Sequence, residues 1–121
     1  MNRLQAGFSR VDVTPMLGIP IRGYYKPRFA EGILDNLEIN ALALSCGEDT
    51  VVLLSMDNCY VNQMLTDRFI EGISQATGLP AEAILIHGTH THTGPSLAAP
   101  ADSLRFEDGE NALVLEYTQT V

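Results

Sequence analysis

The sequence predicts an α/β fold: a mixed sheet holding a β-hairpin and a right-handed β-α-β unit. Two observations predict it. Residues 38–46 and 50–56 read as strands on either side of Gly47-Glu48-Asp49, which supplies the turn chemistry of a hairpin. The 50–56 run is then followed by a helical stripe and a second short apolar run at 84–87. Strand, helix, strand in that succession is a crossover unit, and such units are right-handed in nearly all sheets. The 50–56 and 84–87 strands should therefore lie side by side and parallel.

Taken in order, residues 5–13 read as a strand that stops at Thr14-Pro15. Residues 16–36 contain Gly18, Pro20, Gly23, Pro27 and Gly32, which predict a long irregular loop. Loops of that length tend to be functional or mobile. Arg22, Tyr24, Tyr25, Lys26 and Arg28 make it the basic, aromatic stretch of an acidic chain. It suits a pocket wall or an anchor for an anionic group; it equally suits a solvated loop. The run Thr50-Val51-Val52-Leu53-Leu54-Ser55-Met56 is the strongest strand signal, with the composition of a strand buried on both faces. It stops at Asp57-Asn58. Val61, Leu65, Phe69, Ile73 and Ala76 recur at helical spacing, and Gly78 with Pro80 ends the helix. Near Glu110 a further helix begins, with Leu113, Tyr117 and Val121 four apart. It ends on an apolar residue without a C-terminal turn residue, the pattern expected of a piece of a longer domain.

All three histidines fall in one loop, Ile84-Leu85-Ile86-His87-Gly88-Thr89-His90-Thr91-His92-Thr93-Gly94-Pro95. His90 and His92 are two apart, so in an extended segment both imidazoles converge on one side. Such a pair suits zinc, which takes neutral imidazole nitrogen at about 2.0–2.1 Å. A structural zinc needs four ligands, so the simpler reading also stands: a polar loop whose histidines bond to backbone or water. His87 belongs to the strand, on the face opposite Ile84 and Ile86, and reads as structural or as a support to a ligand. Asp57 ends a strand at the edge that displays His90 and His92, the edge where open α/β sheets bind ligands. It can orient a metal-bound histidine, or it is a turn residue.

Composition narrows the function classes. Seven basic against fifteen acidic side chains give a net charge of −8, which disfavours nucleic acid and anionic membranes as partners. The first residues lack an apolar leader and no run reaches membrane-spanning length, so the expectation is a soluble, cytoplasmic chain without a transmembrane segment. Cys46 and Cys59 lie too far apart for a disulfide if the hairpin forms, so both are expected as free thiols, packed as small buried apolar groups.

Several of these stretches resemble one family in order and spacing. Gly7-Phe8-Ser9-Arg10-Val11-Asp12-Val13-Thr14-Pro15 resembles a G-x-S-x-x-D-x-T-P opening. Arg22-Gly23-Tyr24, Gly32-Ile33-Leu34-Asp35-Asn36-Leu37 and Ala41-Leu42-Ala43-Leu44 follow. Gly88-Thr89-His90-Thr91-His92-Thr93-Gly94-Pro95 resembles a G-T-H-T-H-S-G-P core, with Thr93 in place of serine. The family is the neutral/alkaline non-lysosomal ceramidases, and the resemblance covers the N-terminal part of their catalytic domain. It implies a zinc-dependent hydrolase of an amide C–N bond, acting on an N-acyl sphingoid or related lipid amide. It implies His90 as a zinc ligand, His92 as the residue acting on the substrate or the reacting oxygen, and Gly23 against the substrate. The family's remaining ligands, a second histidine, a glutamate and a tyrosine, and its essential serine fall outside these 121 residues, so the chain alone is expected to be inactive.

Two other classes compete. His-x-His also opens metallo-β-lactamase-type and amidohydrolase-type sites, but the former requires Asp-His two residues after its second histidine, where this chain has Gly94-Pro95 after Thr93. A non-catalytic α/β module with an incidental histidine loop is the other.

Overall fold

The computed structural model describes residues 2–98 and 108–121, with the side chains of 108–111 not described. The elements run β1 (Gln5–Asp12), β2 (Pro20–Ile21), β3 (Arg28–Phe29), β4 (Glu38–Cys46), β5 (Asp49–Met56), α1 (Gln63–Thr77), one 3₁₀ turn (Ala81–Ala83), β6 (Ile84–Gly88) and α2 (Asp108–Thr120). Four strands form a mixed sheet in the order β1-β4-β5-β6. β1 and β4, and β4 and β5, pair antiparallel. β5 and β6 pair parallel, with Val52 opposite Ile84 and Met56 opposite Gly88. The predicted hairpin and the predicted parallel pair are both present.

The loop after β1 departs from expectation. Residues 16–36 are not wholly irregular: β2 and β3 form a small antiparallel ladder, Pro20 opposite Phe29 and Ile21 opposite Arg28. Two-residue strands are too short to leave a periodic signal.

Local chemistry sets the ends of α1. Asn62 caps its start, its Oδ1 accepting from the Leu65 N–H at 2.9 Å. Gly78 closes it in the left-handed region at φ 77, its N–H donating to the Ser74 carbonyl. Leu65 is fully buried, and Phe69, Ile70 and Ile73 pack against the core; Ala76, on the expected stripe, is exposed.

One face of the sheet carries the core. Ile39, Leu54, Met56 and Ile84 join Leu65 of α1 and Val114 and Tyr117 of α2. The other face is open. The register aligns Phe8, Leu42, Leu53 and Leu85 in one row across it, and Phe8 is 81% and Leu85 59% exposed. β5 is thus buried on one face, not two as its composition suggests. Its apolar outer residues, Val51 and Leu53, belong to this exposed row and its neighbour. Among the described residues no helix is long and apolar enough to cross a membrane.

α2 is tied to the end of β1. The Tyr117 hydroxyl donates to the Val13 carbonyl at 2.8 Å. Burial, and secondarily the Asp12 carboxylate, push the Tyr117 phenol well above its ordinary value of 10.0.

The two sheet faces should respond differently to truncation. Ile84→Ala should cost about 2–5 kcal/mol, as for other buried large-to-small changes. Leu85→Ala, on the open face, should cost about 0.5 kcal/mol or less. Urea denaturation of both variants measures the difference. Tyr117 makes a pH prediction. Its raised value in the folded chain means its contribution is fully present below pH about 10 and is lost above, where the unfolded chain ionises first. Tyr117→Phe should lose about 1 kcal/mol at neutral pH but show a shallower alkaline decline, read from urea midpoints across that range.

Candidate metal centre

Because β5 and β6 are parallel, both end at the same edge of the sheet, and the loops that follow them meet there. The Thr89 N–H donates to the Met56 carbonyl and the His90 N–H to the Asn58 carbonyl, each at 2.9 Å. The contact is close enough to exclude an unshifted side chain at 88 and to crowd one at 94. A Cβ on Gly88 would stand 2.9 Å from the Asn58 carbonyl oxygen, and one on Gly94 3.1 Å from the Asn58 Cα. Asn58 beneath them is fully buried, and its Oδ1 accepts the Cys59 N–H at 2.7 Å.

His90 is held in an unusual state. Its φ of 65 is the one left-handed value among the described non-glycine residues. Such a conformation costs roughly 1–3 kcal/mol and persists where surrounding contacts impose it. His90 Nδ1 lies 2.8 Å from the Cys59 carbonyl oxygen. A carbonyl only accepts, so Nδ1 carries a proton, and in the neutral imidazole Nε2 is then the nitrogen with the lone pair. His92 Nε2 is 3.3 Å from that Nε2, with the rings 5.0 Å apart and tilted by 68°. Cys59 Sγ is 3.8 Å from His90 Nδ1. One donor atom from each of Cys59, His90 and His92 lies within 4.8 Å of the others.

These donors fit zinc. Two nitrogens each about 2.05 Å from one ion, at the tetrahedral angle, stand about 3.3 Å apart, the separation found between His90 and His92. Imidazole nitrogen and thiolate sulfur are also the ligand types zinc takes most readily.

The 16–36 segment forms the wall beside His92. The Arg22 N–H donates to the Gly94 carbonyl at 3.0 Å, and the Ser96 N–H to the Pro20 carbonyl at 2.8 Å. Gly23, at φ 108, backs directly onto the imidazole: a Cβ there would fall 2.6 Å from His92 Cγ. Tyr24 meets the same ring edge-on at 5.8 Å. Arg28 stacks over Tyr24 at 4.1 Å and Arg22 over Tyr60 at 5.1 Å. The basic residues Arg22 and Arg28 thus brace aromatic rings beside the histidines.

Of the residues singled out in the sequence, His90, His92 and Gly23 come together. His87 does not join them. It lies exposed on the open face of the sheet, its Nδ1 3.1 Å from the Gly88 carbonyl oxygen. Asp57 turns the other way, its Oδ2 accepting the Glu38 N–H at 3.0 Å, and so ties β5 to the start of β4. The group that orients His90 is the Cys59 carbonyl. Cys59 is the residue that sequence reading did not place beside the histidines. It is a free thiol, as expected, but half-buried beside His90 instead of packed as an apolar group, and Cys46 is exposed. Its signal was its position, three residues beyond β5 on the edge that displays the histidines.

Fold and site together define a mixed α/β unit with a thiol–imidazole cluster at the carboxyl ends of its parallel strands. The fold is that of part of a neutral ceramidase. Neutral ceramidase from Pseudomonas aeruginosa matches it with a TM-score of 0.72, and a ceramidase complexed with C2 with a TM-score of 0.68. Each is 19% identical over 79% of this chain, and the chain spans 16% of each of those chains. The resemblance read from the sequence motifs is therefore matched by a shared fold. No family model and no curated protein matches the sequence.

Gly23→Ala should disturb the site without touching a donor atom. The substitution forces an L side chain to φ 108 and drives a methyl into the His92 ring. It should destabilise the chain by about 1 kcal/mol or more and shift the His92 imidazole resonances in a histidine-selective NMR spectrum. Unchanged His92 signals would show that the contact is not rigid.

Proposed function

We propose that residues 1–121 carry the first part of the zinc site of an amide hydrolase of ceramidase type, acting on the C–N bond of an N-acyl sphingoid or related lipid amide. The observation that carries this reading is the bare Nε2 of His90, 3.3 Å from His92 Nε2, at the carboxyl edge of a sheet with the ceramidase fold. The known structure with bound C2 supports a small lipid-like substrate class for that fold. When bound, zinc acidifies a water molecule and polarises the amide carbonyl.

The chain's own residues supply the positioning. The Cys59 carbonyl fixes the His90 tautomer, so that Nε2 is the ligand atom. His92, clamped between Gly23 and the His90 ring, presents its Nε2 to the substrate or the reacting oxygen. Gly23 makes room for the His92 ring, and the ceramidase resemblance implies that the same glycine lies against the substrate. The 3.3 Å separation favours a second assignment, in which both imidazoles bind one ion.

Replacing each histidine separates the two. On the first assignment, His90→Ala loses zinc, while His92→Ala keeps it and, in a protein with the whole site, loses about 10²–10³ in turnover. On the second, both variants lose zinc. Metal content by mass spectrometry, with hydrolysis of an N-acyl amide beside it, reads both outcomes. Zinc and activity retained by both variants would remove this loop from the site altogether. The chain by itself is expected to bind the ion without appreciable hydrolysis, because the serine and further ligands implied by the ceramidase resemblance are not among its residues.

A further inference from the structure

We propose that Asn58 is a positioning residue for the proposed zinc ligand His90: its side-chain oxygen locks the peptide on which the bonds that hold His90 depend. This rests on the reading that His90 offers Nε2 to an ion, and it adds a residue that the ceramidase resemblance leaves without a role.

His90 is gripped by two consecutive carbonyls. Its backbone N–H donates to the Asn58 carbonyl at 2.9 Å, and its Nδ1 to the Cys59 carbonyl at 2.8 Å. The first carbonyl belongs to the peptide that joins residues 58 and 59. The N–H of that same peptide donates to Asn58 Oδ1 at 2.7 Å. The peptide is therefore fixed at both ends, its oxygen by the His90 backbone and its nitrogen by the Asn58 side chain. Turning it would take the Cys59 N–H off its acceptor and swing the next carbonyl away from the imidazole. A neutral imidazole carries one proton on either nitrogen, and the bond made at one nitrogen decides the other. Holding the Cys59 carbonyl in place thus keeps the lone pair on Nε2.

The surroundings of the amide agree with this role. Asn58 is fully buried, and its Nδ2 has no hydrogen-bond partner among the described residues. A buried donor left in this way costs about 1–3 kcal/mol, so the amide is present for its oxygen. Flipping it would set two donors, Nδ2 and the Cys59 N–H, against each other. The histidine loop lies directly on this side chain: a Cβ on Gly94 would stand 3.4 Å from Asn58 Oδ1.

Nitrogen-15 NMR reads the tautomer, because the protonated and bare nitrogens of a neutral imidazole resonate far apart. The metal-free chain is measured at about pH 8, above the ordinary imidazole value of about 6.5, as wild type, Asn58→Asp, Asn58→Ser and Asn58→Ala. Cross-strand signals between β5 and β6 report whether each variant folds, and a zinc titration follows. The wild type should show His90 protonated at Nδ1. Asn58→Asp keeps the oxygen and should keep that tautomer. Asn58→Ser, whose hydroxyl is one bond shorter, and Asn58→Ala should fold with the proton spread over both ring nitrogens. They should bind zinc at least about tenfold more weakly, since partners one step removed from a metal cost 10–100-fold. An unchanged tautomer, or unchanged zinc affinity, in whichever of these two folds overturns the proposal and leaves the metal reading standing. Loss of the tautomer in Asn58→Asp also overturns it, because the oxygen would not be what matters. Failure of both shorter variants to fold overturns it too, by assigning Asn58 to the fold at large. A wild type that binds no zinc removes the metal reading, and the proposal with it.

Discussion

The parallel pairing of β5 with β6 is the constraint on which the site depends. Parallel strands finish at the same edge, so the peptide after Met56 and the peptide after Gly88 must leave the sheet together. Two backbone hydrogen bonds then lock them, from Thr89 to Met56 and from His90 to Asn58. Glycine at 88 allows the approach, and at 94 any side chain would press on the Asn58 backbone. From that contact come the left-handed backbone of His90, the bond from its Nδ1 to the Cys59 carbonyl, and the meeting of three donor side chains. A different order of strands would scatter the same residues.

The strain at His90 belongs to this arrangement. An L residue at φ 65 costs free energy that an ordinary turn residue would avoid. The loop bonds on either side of His90 supply the compensation, and the result is an imidazole aimed at its neighbour with one nitrogen already satisfied. An imidazole held in this way has little freedom left to lose on binding an ion, which is the physical basis of preorganisation. The segment from Gly18 to Ala30 adds to this from the other side. Its short ladder and its bonds to Gly94 and Ser96 bring Gly23 against His92 and leave that ring little room to turn.

Much of the scaffold was legible in the sequence. The hairpin announced itself through Gly47-Glu48-Asp49 between two apolar runs, and the crossover through the stripe from Leu65 to Ile73. The histidine pair stood out because i, i+2 spacing has a direct meaning in extended chain. What was hidden depends on tertiary approach. Nothing local in Cys59 distinguishes a packed thiol from one beside an imidazole; the distinction is made by a residue 31 positions away. Asp57 read as a carboxylate for the histidines because it ends β5, yet its side chain is taken by the Glu38 N–H of the neighbouring strand. The open face of the sheet was equally hidden: Leu53 and Leu85 have the composition of core residues, and composition does not say whether anything covers them.

The central claim is that the edge shared by β5 and β6 is a metal centre. Crystals of the chain grown with zinc, with diffraction data collected on both sides of the zinc absorption edge, test it most directly. The account predicts one anomalous peak about 2.0–2.1 Å from His90 Nε2, between the loops at 57–60 and 88–94. A zinc-loaded crystal with no peak at this edge, or with its peak at other residues, would contradict it.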